Sequence, residues 1–136
     1  NTTLRIHAGE TPESENNPEI VLGLIEDIAH EQKIDIPPPF IRIGHGVYFK
    51  NNSNYLRLLK KLYCIVEINA SSNYALGNIQ DFNDLPYQYY IKNQIPIVVS
   101  TDGHGLWYTT IKRKFERDWW WPSILLYWYG RKSWWK

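Results

Sequence analysis

The chain has 136 residues, a formal net charge of +1 at neutral pH, one cysteine and no methionine. This length supports one compact domain with a hydrophobic core, and the near-neutral charge excludes nucleic acid as an expected general partner. The single cysteine excludes an intrachain disulfide, and no apolar stretch is long enough to cross a bilayer, so we expect a cytoplasmic protein without a membrane span.

Apolar runs typical of strands alternate with amphipathic segments typical of helices. The predicted strands cover residues 3–7, 40–44, 64–69 and 95–100. The predicted helices cover residues 18–32, 53–62, 85–93 and 106–117. The strands are rich in Ile and Val and nearly continuous, as in parallel sheets that are buried on both faces. This order predicts an α/β fold of four successive β/α units.

A short polar motif follows each predicted strand. The motifs are HAGE at 7–10, GHG at 44–46, SSN at 71–73 and TDGH at 101–104. Right-handed crossovers between parallel strands put all the strand C-termini at one edge of the sheet, which is where α/β barrels carry their chemistry. We therefore expect the histidines and carboxylates of these motifs to lie close together.

The side chains of His7 and Asp102 are of the types that bind zinc, although a lone histidine beside a glycine is more often structural. Two ligands are fewer than a catalytic zinc needs, so further ligands must come from elsewhere. Glu10 is placed to act as a general acid, or else to cap a helix or face solvent. His45, between two glycines, suits a base that orients a water, while the simpler interpretation is a histidine in a turn.

The remaining motif residues have two interpretations each. Ser71, Ser72 and Asn73 are predicted to form a turn through local backbone hydrogen bonds, with contact to a ligand as the lesser alternative. His104 is a candidate for an additional metal ligand or a substrate contact, or for a loop histidine in water. The predicted substrate contacts are Gly9, Asn73 and His104.

Four motifs in this order resemble the second half of the adenosine deaminase family of metal-dependent amidohydrolases. They are HAGE at 7–10, RIGHG at 42–46, V-E-x-x-x-S-S-N at 66–73 followed by Leu76-Gly77, and S-T-D at 100–102. The resemblance covers roughly residues 3–111. It implies a (β/α) barrel of TIM type, of which this chain provides the last four β/α units.

By the same resemblance, His7 and Asp102 would be zinc ligands and Glu10 would protonate the purine ring. His45 would position and deprotonate the zinc-bound water. The implied activity is zinc-dependent deamination of adenosine or of a related amino-purine nucleoside or nucleotide. Two features depart from the family pattern: no His-x-His ligand pair is found at an early strand, and Gly103 stands where the family commonly has a second Asp.

The last 25 residues have a different composition. Residues 112–136 contain seven Lys and Arg against two acidic side chains, and six of the seven tryptophans. This basic, Trp-rich tail is either an interaction surface or a non-native segment. Residues 1–111 are then expected to form the C-terminal half of the barrel in a partial chain that is inactive alone. Its expected partners are a missing N-terminal half or another protein chain.

Two other functions compete with deamination. One is a non-catalytic relative that serves as a binding or assembly module, which Gly103 and the tryptophans favour. The other is a different amidohydrolase reaction, such as hydrolysis of a cyclic amide. Glu10 argues against the second, because an acid beside the metal suits protonation of a ring nitrogen.

Overall fold

The structure, a computed structural model, describes residues 4–36 and 41–102. Four strands are present in this range: β1 Leu4–Ala8, β2 Ile41–His45, β3 Ile65–Ile68 and β4 Ile97–Val99. Four α-helices connect or follow them: α1 Asn17–Glu31, α2 Ser53–Lys61, α3 Ala70–Ala75 and α4 Tyr87–Lys92. No helix in the described part of the chain has the length and apolar character that a membrane span requires.

The strands form one parallel sheet in the order β1-β2-β3-β4. His7 pairs with Gly44, Gly44 pairs with Glu67, and Ile68 pairs with Val99. Each strand therefore neighbours the next one along the chain, and all four C-terminal ends lie at the same edge of the sheet. This confirms the predicted α/β order over the four strands.

One face of the sheet is apolar and covered by the helices. Its side chains alternate along the strands and are buried, as are the helix residues that cover them. The buried strand residues are Ile41, Ile43, Val66, Ile68 and Ile97. Leu22 of α1 and Leu58 and Leu59 of α2 are at most 1% exposed. Burial of each such side chain stabilises the fold by about 1.5–3 kcal/mol, so this face holds the sheet and helices together.

The opposite face of the sheet carries charged side chains. Glu67 on β3 is 2% exposed and forms ion pairs with Arg5 at 2.5 Å and Arg42 at 2.9 Å. These three residues lie on three adjacent strands, and Arg5 also donates a hydrogen bond to Ser100. The two arginines compensate the buried carboxylate, which would otherwise be costly. The ion pairs join the strands below the edge that carries the polar motifs.

Three elements differ from the sequence predictions. The predicted Ser-Ser-Asn turn is wrong, because residues Ala70–Ala75 form helix α3 and the Asn73 amide donates to the Asn69 carbonyl. The helix predicted at 85–93 begins only at Tyr87, after Pro86. Residues Phe82–Asp84 form a separate 3-10 turn, and Pro86 has no amide hydrogen with which to continue a helix from it. Strand β4 covers only three of the six predicted residues. The predicted helix at 106–117 and the tail at 112–136 lie outside the described residues.

Helices α1 and α2 are joined by a charged cluster on the surface. Glu26 of α1 accepts two hydrogen bonds at 2.7 Å from Arg57 and one at 2.6 Å from Lys61, both on α2. These hydrogen bonds lower the pKa of Glu26 from 4.5 to about 2. The carboxylate therefore stabilises the contact between the two helices whenever it is ionised.

We predict that Glu26→Gln lowers the free energy of unfolding by about 1 kcal/mol near neutral pH, the scale of exposed ion pairs. Because folding depresses this pKa, the contribution is complete above pH 4.5 and is lost as the pH falls towards 2. Urea denaturation at several pH values should show the wild-type advantage shrinking across that window. The exposed neighbour Asp27→Asn is the matched control, and an advantage that is equal at pH 3 and pH 6 would contradict the prediction.

Candidate functional site

Three side chains with metal-binding atoms meet at the C-terminal edge of the sheet. His7 lies near the end of β1, His45 ends β2, and Asp102 follows β4. One ligand atom from each of the three lies within 4.8 Å of the others. These residues are far apart in the sequence, and the parallel sheet brings them to one edge. The prediction that histidines and carboxylates of the strand-end motifs lie close together is confirmed for these three.

Gly44 makes the space that the His7 ring occupies. The two residues are paired across β1 and β2, so a side chain at position 44 would point to the same face as His7. A Cβ atom at Gly44 would lie 2.7 Å from Cδ2 and 3.2 Å from Nε2 of His7. The first glycine of the GHG motif therefore leaves room for the ring of His7 on the neighbouring strand.

His45 reaches the edge through an unusual backbone conformation. Alternation along β2 would put its side chain on the helix-covered face with Ile41 and Ile43. The φ angle of His45 is +72°, in the left-handed region, which redirects the imidazole. Its ring then meets the His7 ring edge to face at 5.0 Å. Because left-handed backbone is costly for a residue with a side chain, the surrounding structure must hold His45 in place.

A pair of buried tyrosines supports the turn after His45. The Tyr90 hydroxyl donates to the Gly46 carbonyl at 2.6 Å, and the Tyr55 hydroxyl lies 3.2 Å from that of Tyr90. Burial raises the pKa of both tyrosines, so both hydroxyls stay protonated. Gly46 has a φ of +53°, and a Cβ there would meet Val66 Cγ1 at 2.7 Å. Only glycine fits between the strand end and this pair.

Two carboxylates approach the Nε2 atom of His45. Its Nε2 lies 3.7 Å from Glu10 Oε1 and 3.9 Å from Asp102 Oδ2. The ring is only 1% exposed, and its burial lowers the pKa of His45 below the ordinary 6.5 despite the nearby carboxylates. A neutral imidazole near neutral pH can accept a proton, which is the property that a general base needs.

The other ring nitrogen of His45 is hydrogen-bonded within the protein. Nδ1 lies 3.2 Å from Oδ1 of Asn73, which is on α3 and is completely buried. Sequence reasoning missed this contact because it treated Asn73 as a turn residue and a substrate contact. The structure uses its Oδ1 for His45, while its Nδ2 has no hydrogen-bond partner among the described residues. A substrate contact by Asn73 stays a prediction.

The donor set fits a divalent transition metal such as zinc. Imidazole nitrogen and carboxylate oxygen are ordinary zinc ligands at 2.0–2.2 Å, and separations up to 4.8 Å allow one ion to lie between them. The set also includes His45, which the sequence analysis predicted as a base. Three protein ligands from described residues are available if His45 binds the ion, and two if it does not.

The other predicted residues have different placements. Gly9 has a φ of +68°, and its carbonyl accepts hydrogen bonds at 2.9 Å from the amides of Val47 and Tyr48. It connects the loops that follow β1 and β2, and its contact with substrate stays a prediction. His104 and Gly103 lie outside the described residues. The sequence analysis also did not predict that Glu67 is buried and paired with two arginines. The available signal was a charged residue inside an otherwise apolar strand.

Comparison with known proteins identifies relatives over most of the chain. A family model described as adenosine deaminase matches residues 1–119. An adenosine deaminase from Clostridium botulinum is 30% identical over 113 residues, covering 83% of this chain and 30% of that protein. One from Enterococcus faecalis is 30% identical over 56% of this chain and 23% of its own length. N6-Methyl-AMP deaminase-L from Xenopus laevis is 25% identical over 83% of the chain and 28% of its own length.

Solved structures of similar fold agree with these relatives. The apo N6-methyl-AMP deaminase from Arabidopsis thaliana superposes with a TM-score of 0.59 at 21% identity, over 96% of this chain and 32% of that one. Arabidopsis ADAL complexed with IMP gives a TM-score of 0.59 at 22% identity, over 84% and 28%. The chain thus spans less than a third of the length of these proteins, and its sheet is part of a TIM-type barrel, as predicted.

We predict that Gly44→Ala displaces the exposed His7 ring and lowers the free energy of unfolding by about 1 kcal/mol, because the new methyl group overlaps the ring and the ring has to rotate away. Urea denaturation measures the loss.

Gly23→Ala in α1 is the matched control, because no atom lies within 4 Å of a Cβ at that position. That variant should be stabilised by about 0.4–1 kcal/mol through reduced freedom of the unfolded chain. Equal stabilities of the two variants would contradict the assigned role of Gly44.

Proposed function

The chain belongs to the adenosine deaminase family, and from this premise we propose that the protein carrying it hydrolytically deaminates an amino-purine nucleoside or nucleotide with zinc at the described edge. The observation that carries the proposal is the convergence of His7, His45 and Asp102 within 4.8 Å, with Glu10 beside them. These residues lie at or just after the ends of three strands, and their types match metal-assisted hydrolysis.

His7 and Asp102 are the proposed zinc ligands, and the further ligands come from residues outside this chain. A bound zinc ion supplies the Lewis acidity that makes water nucleophilic near neutral pH. This division of roles leaves His45 free to act as a base. We also propose that residues 1–111 provide the C-terminal half of a barrel. The chain covers 23–30% of the length of the curated relatives compared above, which supports completion of that barrel by residues outside it.

His45 is proposed to accept a proton from the attacking water at Nε2. The lowered pKa keeps the imidazole neutral before reaction. Once the imidazolium forms, it is stabilised by the carboxylate of Asp102 and by that of Glu10 after Glu10 has given up its proton. The same carboxylates lie within 4 Å of Nε2, so the charge develops next to opposite charge rather than in an apolar environment.

Glu10 is proposed to give a proton to a purine ring nitrogen as water attacks the adjacent amino-bearing carbon. Its side chain follows β1 in the loop that starts at Gly9 and is 35% exposed, so it can face a ligand at the edge. The imidazolium of His45 then protonates the departing amino group, and the hydroxyl proton of the adduct returns to Glu10. The products are an oxopurine and ammonia, or methylamine where the amino group is methylated. In this scheme Glu10 and His45 move protons, while His7 and Asp102 hold the ion.

The substrate class follows from the names of the relatives. They are named as deaminases of adenosine and of N6-methyl-AMP, and one structural neighbour is complexed with IMP. We therefore propose a purine nucleoside or nucleotide as the substrate. Adenosine, AMP and N6-methyl-AMP are the three compounds to compare, because they separate the nucleoside, nucleotide and methylated alternatives.

We predict that the intact protein binds zinc stoichiometrically and that His7→Ala and Asp102→Ala abolish this binding. Glu10→Gln should retain zinc and lower kcat by about 10²–10⁴-fold, the contribution of a general acid. Metal content after dialysis and the absorbance change of the three purines measure the two effects. His30→Ala, an exposed histidine at the end of α1, is the control and should change neither.

The same experiment separates the alternative roles. His45→Gln should retain zinc while losing turnover, and loss of zinc in that variant would make His45 a ligand instead of a base. A protein that binds no zinc and turns over none of the purines would contradict the proposal and favour a non-catalytic binding or assembly module.

We also propose that the edge of β1 pairs with a further part of the barrel, which is either an N-terminal half outside this chain or another protein chain. This strand is at one end of the described sheet, and α1, which follows it in the chain, exposes Ile20, Leu24 and Ile28, each more than half exposed and spaced four residues apart. An open strand edge and an apolar helix stripe favour contact with another chain or segment.

We predict that the 136-residue chain made alone self-associates. Size-exclusion chromatography with light scattering should show species larger than one chain. Ile20→Glu combined with Leu24→Glu should shift the distribution towards the monomer, while the control Asp27→Asn should not. A single monomeric peak for the unmodified chain would contradict this prediction.

A further inference from the structure

The contact between Asn73 and His45 is isolated from solvent. The two side chains are at most 1% exposed, and Oδ1 of Asn73 lies 3.2 Å from Nδ1 of His45. The residues are 28 positions apart, on α3 and at the end of β2. A buried hydrogen bond of this kind does not exchange readily with water, so it can define the state of the ring.

A neutral imidazole carries one proton, which is on either Nδ1 or Nε2. An amide oxygen only accepts hydrogen bonds, so Oδ1 of Asn73 favours the form with the proton on Nδ1. The carboxylates of Glu10 and Asp102 favour the opposite form, but their oxygens are 3.7 and 3.9 Å from Nε2. Those separations exceed a hydrogen bond, whereas the Asn73 contact at 3.2 Å is within hydrogen-bond distance.

We propose that Asn73 is a positioning residue that fixes His45 in the Nδ1–H form and turns the lone pair of Nε2 towards Glu10 and Asp102. The expected effect on catalysis rests on the proposed function, in which the lone pair of Nε2 accepts the proton of the water. The tautomer itself is a property of the protein that can be measured without any reaction.

The backbone around Asn73 makes it a rigid partner. Its amide donates to the Asn69 carbonyl at 3.0 Å, and its carbonyl accepts from Asn78 at 2.9 Å and from Ile79 at 3.3 Å. Helix α3 and the segment that follows it therefore hold the residue from both sides, and the ring of His45, a residue with left-handed φ, lies against it. Both members of the pair are positioned by the fold before any ligand binds, which is the condition for fixing a tautomer.

The opposite tautomer is the specific alternative. If the Asn73 amide were turned over, Nδ2 would donate to Nδ1 and the proton of His45 would be on Nε2. The lone pair would then point away from the edge, and His45 would be a donor to the two carboxylates. The two arrangements differ in which ring nitrogen carries hydrogen, so one measurement decides between them.

The test is a two-bond proton–nitrogen NMR spectrum of the intact, metal-free protein labelled with ¹⁵N-histidine, at a pH where His45 is neutral. Signals of His45 are assigned by comparison with His45→Gln. The expected result is a protonated Nδ1 and an unprotonated Nε2 in the wild type. A protonated Nε2 would overturn the proposal, whatever the variants do.

Variants test whether Asn73 determines the tautomer of His45. Asn73→Leu has a similar volume and no acceptor, so His45 should show a mixture of tautomers and kcat should fall by about 10–100-fold with little change in KM. Asn73→Asp restores an acceptor and should restore the Nδ1–H form. Ser72→Ala is the matched control, since this buried hydroxyl on the same helix has no hydrogen-bond partner among the described residues. An unchanged tautomer in Asn73→Leu would overturn the proposal.

The outcomes separate this inference from the proposed function. A wild type with the Nδ1–H form but no turnover of any purine contradicts the function alone. Turnover with a protonated Nε2 contradicts the role of Asn73 alone. Should Asn73→Leu fail to fold, the wild-type and Asn73→Asp spectra still decide the tautomer.

Discussion

The pairing of β1 with β2 is the constraint on which the site depends. Its register places His7 opposite Gly44 and Ala8 opposite His45, so the two imidazoles end at the same level of the sheet. A slip of one residue would move His7 to the helix-covered face, because side chains alternate along a strand. The apolar residues Ile41 and Ile43, both completely buried, oppose such a slip. The same packing that stabilises the fold therefore sets the distance between the reactive groups.

The edge carries local strain that the rest of the structure has to offset. His45 and Asp102 have φ angles of +72° and +53°, and each such conformation costs about 1–3 kcal/mol in a residue other than glycine. Both residues belong to the candidate site, whereas the strands that precede them are regular and covered by packed helices. Tyr55 and Tyr90 hold the turn after His45 through the Gly46 carbonyl. Three other non-glycine residues with left-handed φ follow helices, so this conformation is not confined to the edge, but at the edge its cost falls on two residues of the candidate site.

The sequence was sufficient for the order of elements and for the residues at the strand ends, because apolar periodicity and Gly-rich motifs are local signals. Helix α3 was missed because Ser and Asn favour turns locally, while packing buries Ser71, Ser72 and Asn73 in a helical turn. The contacts of His45 with Asn73 and of Glu67 with Arg42 join residues 28 and 25 positions apart. Such contacts depend on strand register and on a redirected side chain, and neither is encoded in the spacing of one motif.

The charges at the edge and those below it are arranged differently. Below the edge, Glu67 is compensated by Arg5 and Arg42. At the edge, Glu10 and Asp102 surround the Nε2 atom of a neutral histidine, and no Lys or Arg of the described residues forms an ion pair with either of them. Two ionised carboxylates that approach one neutral nitrogen repel each other, and the divalent cation of the proposed function, held by Asp102 and His7, would reduce that repulsion. The two groups of charges thus differ in what compensates them: arginines of the same sheet below the edge, and in the proposed function a bound cation at the edge.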